Sequence, residues 1–193
     1  MRRLTYDECG TWLASSGFTI TSSRDLNITG IDRATHKGLF AHFPSELLQV
    51  TRLANALATW LPADRDRLLW LKYWHTYPAF PLQSFEQMIG TADSRHLIDE
   101  PGFLFARDES RPRDDVDPHE TCMPEVALLS GLLLLVMCYD WEAYLVGEGR
   151  TDYVYISDEH VMFGSADAAR IEFGAKVFCD FGLKARVPRN LAR

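Results

Sequence analysis

The segment Val126–Cys138, VALLSGLLLLVMC, constrains this chain more than any other part of it. It carries no charge, yet a helix needs about 20 apolar residues to cross a bilayer. Glu125 and Asp140 bound it closely. The run therefore predicts a buried central helix, apolar on every side, against which the rest of the chain must pack. A chain of 193 residues with 47% hydrophobic and 24% charged residues has the material for such a core. A domain of that size buries roughly 70% of its unfolded surface and needs neither disulfide nor metal to fold.

Before this run, Thr5 and Glu8 have the T-x-x-E spacing of a capping box, with Tyr6, Cys9 and Leu13 at helical spacing behind it. A first helix is expected to about Ser16, ended by Gly17. Phe18–Thr21 and Leu26–Ile31 read as two short extended segments. After Pro44, Leu47, Val50, Leu53, Ala54, Leu57, Trp60 and Leu61 follow an amphipathic helical period that Pro62 closes. Asp64 is placed to cap a further helix carrying Leu68, Leu69, Leu71 and the rings of LLWLKYWHTY. Ser84 and Gln87 form a second capping box for a short helix ending near Gly90.

After the apolar run, Trp141–Val146 and Asp152–Ser157 are strand-like, joined by a Gly-containing turn, with a third short strand at Val161–Phe163. Ser165 is expected to cap a helix with Ile171, Ala175 and Phe178 on one face and Gly182 as its stop. Residues 183–193, LKARVPRNLAR, hold four basic residues and no acidic one, and are expected to fray. No internal repeat is present. Residues 1–182 are read as one α+β domain, with N-terminal and central helices on a small antiparallel sheet and a C-terminal ββ(β)α unit.

The net charge of −7 opposes phosphate-backbone binding, which needs a basic stripe. Nucleic acid is not expected as a partner, whereas an acidic surface steers a basic protein toward it. Cys9, Cys122, Cys138 and Cys179 are scattered, and MRRLTYDECG has no apolar stretch behind its arginines. Both features suit a reducing cytoplasm.

No G-x-G-x-x-G, Walker lysine motif, H-E-x-x-H or EF-hand loop occurs, so no cofactor is expected. Between Asp99 and Glu125 there are nine acidic residues, three arginines and four prolines, and the stretch reads as an exposed loop. Within it Asp114, Asp115, Asp117 and Glu120 surround His119, and His119 and Cys122 have H-x-x-C spacing. A structural zinc site wants four N or S ligands, and no second paired unit exists. The loop reads instead as solvated acid and a contact surface for a basic partner.

Ser157, Asp158, Glu159 and His160 are the residue types of a hydrolytic triad, but a triad is assembled from distant segments. Adjacent residues diverge, so a locally capped turn is expected. Trp70, Trp74, His75 and Tyr77 suit either core packing or a pocket for a planar ligand, to which Asp158 or Glu159 would add a carboxylate.

Three segments resemble a set of small uncharacterised bacterial proteins that share a Trp-rich helix, an APGHLF-like segment and a C-terminal SHDE-like strand. Here they stand as LLWLKYWHTYP (68–78), EPGFLF (100–105) and ISDEHVMF (156–163), in the same order. Phe103 replaces a histidine usual in those proteins, and no histidine precedes the Asp158–Glu159 pair. The family carries no established activity. The resemblance implies an arrangement of elements, a bacterial source and a cytosolic address.

The expectation is a non-enzymatic protein-binding module, most specifically an immunity- or antitoxin-like inhibitor of a partner. The alternative is a ligand-binding protein or enzyme with a dispersed site near Trp74 and His75.

Overall fold

The computed structural model describes residues 1–20, 28–29, 37–60, 65–72, 101–106, 123–139, 141–149, 152–157, 160–184 and 186. In chain order these form β1 (Arg2–Leu4), α1 (Tyr6–Ser15), β2 (Thr19–Ile20), β3 (Ile28–Thr29), β4 (Lys37–His42), α2 (Leu47–Trp60) and β5 (Arg67–Lys72). There follow β6 (Gly102–Phe105), α3 (Met123–Cys138), β7 (Glu142–Gly147), β8 (Tyr153–Ile156), β9 (His160–Ser165) and α4 (Ala168–Asp180).

Seven strands make one sheet in the order β1-β6-β5-β7-β8-β9-β4, with every neighbouring pair antiparallel. The C-terminal meander is continuous with it, so β7, β8 and β9 followed by α4 give the expected strand-strand-strand-helix unit. β2 and β3 pair as a separate ribbon, Thr19 opposite Thr29.

Side-chain alternation along the strands splits the interior into two cores. On one face Leu69, Leu71, Phe103, Phe105, Ala143, Leu145, Val154, Ile156, Val161 and Phe163 meet the helices α2, α3 and α4. The predicted central helix takes its place there, with Leu129, Leu132, Leu133 and Val136 fully buried. Asn55 of α2 accepts a hydrogen bond from Ser130 of α3 across that packing. On the other face Leu68, Trp70, Leu104, Tyr144, Val146 and Tyr153 meet Leu4, Cys9, Leu13 and Phe18 around α1. Among the described residues no helix is long and apolar enough to cross a membrane.

The local signals for α1 hold. Glu8 N donates to the Thr5 hydroxyl at 3.3 Å and Thr5 N donates to the Glu8 carboxylate at 2.8 Å, closing the capping box. At its end Gly17 N donates to Ala14 O and Phe18 N to Leu13 O, with Gly17 at φ 87°. The same paired bonds end α4, from Gly182 N to Cys179 O and from Leu183 N to Phe178 O.

Three expectations are corrected. The stretch from Asp64 forms β5 over its described residues, Arg67–Lys72, and no helix. Leu68 and Trp70 are buried against one core and Leu69 and Leu71 against the other, so a strand covered on both faces reads as an unbroken apolar run. Residues 102–105 form β6, buried throughout, inside a segment expected to be loop. The cap of α4 is Asp167, whose carboxylate accepts from Ala169 N at 2.9 Å, while Ser165 accepts from Asp167 N. The helix expected at 84–90 lies outside the described residues.

Candidate functional site

One group of chemistry-bearing residues lies at one end of the sheet. There β4 finishes at His42, β8 runs into Ser157 and β5 finishes at Lys72, while β9 starts at His160 and β7 at Glu142. His42 lies opposite His160, Lys72 opposite Glu142, and Ser157 N donates to His160 O at 2.9 Å. Alternation puts the side chains of His42, His160, Ser157 and Glu142 on the face that also carries α1.

One step inward, the register lines up Phe40, Met162, Tyr155, Tyr144, Trp70, Gly102 and Leu4 across all seven strands. Tyr144 and Tyr155 stack with centroids 4.6 Å apart, and Phe40 lies 4.5 Å from the His160 ring and 5.2 Å from the His42 ring. Tyr155 donates its phenol to Glu142 Oε2 at 2.9 Å. Ser157 Oγ is 2.7 Å from His160 Nδ1. Phe40, Glu142, Tyr155, His160 and Met162 are half-buried and His42 is exposed.

This arrangement bears on the triad residue types in the sequence. Ser157 is 4% exposed, and its hydroxyl lies against both Nδ1 and the carbonyl of His160, closing the β8–β9 connection. A nucleophilic serine needs an exposed oxygen and a base oriented by a third group. The Ser157–His160 contact is that of a capped turn, and the ring it holds stands against Phe40 and Tyr155.

A second polar centre lies at the opposite end of β8. Asp152 accepts from Arg170 Nε at 3.0 Å and from the Ser165 hydroxyl. Arg170 also donates to Trp60 O at 2.6 Å and lies 4.4 Å over the Trp60 ring. These bonds join β8, β9, α4 and the last carbonyl of α2. Next to it Leu57, Trp60, Phe163, Gly174, Val177 and Phe178 close together and leave no space for a water molecule.

Of the residues read in the sequence as partner-binding or pocket-lining, Trp70 is described. It is 2% exposed within β5, with Tyr6 edge-on at 5.8 Å. Trp74, His75, Tyr77, Asp158, Glu159, Asp114, Asp115, Asp117 and Glu120 lie outside the described residues, as does the 108–120 stretch. Among the described residues no three His, Cys, Asp or Glu side chains stand close enough to share a metal ion.

The chain matches no family model, no curated protein and no solved structure. The site is thus defined by its own geometry. Sequence reasoning passed over Glu142, Tyr144, Tyr155, Phe40 and His42, because strand register is what makes them neighbours.

Proposed function

We propose that this chain is a non-enzymatic protein-binding module, in its most specific form an immunity- or antitoxin-like inhibitor of a basic partner in a bacterial cytosol. The observation that carries the reading is the side-by-side exposure of Leu47 and Leu48, 65% and 60%, in the first turn of α2 of an acidic chain. Adjacent exposed apolar side chains on an acidic chain suit the apolar centre of a protein contact. The buried Ser157 hydroxyl adds support, since a group held in a turn is poorly placed to attack a substrate.

Affinity capture from the native host tests this with three baits: the unaltered chain, Leu47→Asp/Leu48→Asp, and charge reversal of Asp114, Asp115, Asp117 and Glu120. A stoichiometric basic partner retained by the first bait and lost by one of the others supports the reading. Absence of such a partner, or equal retention by all three, sinks it.

One observation favours a ligand-binding alternative. β5 and β8 leave the sheet at the same end on either side of β7, with Lys72 opposite Glu142 and Ile156 opposite Ala143. Two strand spacings are about 10 Å. The ends of β5 and β8, which Trp74 and His75, and Asp158 and Glu159, follow in sequence, therefore lie within reach of one small molecule. Saturable quenching of tryptophan fluorescence by a planar or cationic compound, lost in Tyr155→Phe, would favour this reading over the first.

A further inference from the structure

We draw no further inference here: the strongest candidate, the half-buried aromatic shelf of Phe40, Tyr155 and His160 beside the exposed His42 at the end of the sheet, belongs to the site already described, and nothing in the structure shows what covers it.

Discussion

Arg170 donates through Nε to Oδ2 of Asp152 at 3.0 Å, and the two side chains are 16% and 4% exposed. The pair is anchored on both sides, by Ser165 on the carboxylate and by the Trp60 carbonyl and ring on the guanidinium. Removing one member of a buried pair leaves an uncompensated charge, at a cost of about 3–5 kcal/mol. Asp152→Ala is therefore expected to lower unfolding stability by that order, and Asp152→Ala/Arg170→Ala by less than the two single changes together. Urea denaturation of all three variants checks both statements; additive losses would refute the coupling.

Gly102 meets α1 at close range. A Cβ there would stand 2.2 Å from Cys9 Sγ and 3.1 Å from Leu4 Cβ, both in the core. Gly102→Ala is expected to destabilise by about 1–3 kcal/mol through overpacking. In a Cys9→Ala background the sulfur is gone, and the same change is expected to cost much less. Denaturant midpoints of the two singles and the double decide it, and equal costs in both backgrounds would contradict this packing.

Burial of Cys9, with the Glu8 charge beside it, pushes its thiol from 9.0 up to about 12, and burial pushes Tyr153 from 10.0 up to about 12. Both groups keep their protons in the fold after the unfolded chain has lost them. Their contribution is complete below pH 9 and is lost as pH rises through 9 to 12. Stability measured by denaturation is expected to decline over that window, and Cys9→Ala to flatten its lower part. Iodoacetamide is expected to modify the exposed Cys138 and Cys179 in the native protein and to reach Cys9 only on unfolding. Native-state labelling of Cys9, read by peptide mass spectrometry, would run against this.

Ser157→Ala removes the hydroxyl that holds the His160 ring. The expected loss is about 1 kcal/mol of stability, with a change in the His160 imidazole NMR shifts. Binding to a captured partner is expected to persist. Abolished function in a variant of near-native stability would instead point to chemistry at this serine.

The helices were the most legible part of the sequence, because their signals are local. The capping box at Thr5–Glu8, the period from Leu47 to Trp60 and the apolar run ending at Cys138 each sit within a few turns. The strand β5 was misread for a physical reason: burial on both faces erases the alternation that marks a strand. β4 and β6 hold their places through partners far away in the chain.

The candidate site follows the same division. The residue types around Ser157 and His160 were visible, and so was the turn they cap. That Glu142 receives the Tyr155 phenol, that His42 faces His160, and that Phe40 is paired with Arg186 depend on register between distant strands.

The apolar run, too short to cross a bilayer and longer than an ordinary strand, therefore determined by itself that this chain buries a central helix. Which residues meet at the end of the sheet, and that Phe40 bridges Arg186, only the tertiary structure decided. Cross-strand neighbours are fixed by backbone hydrogen bonds and by which face is buried, and neither is encoded in the spacing of residues along one strand.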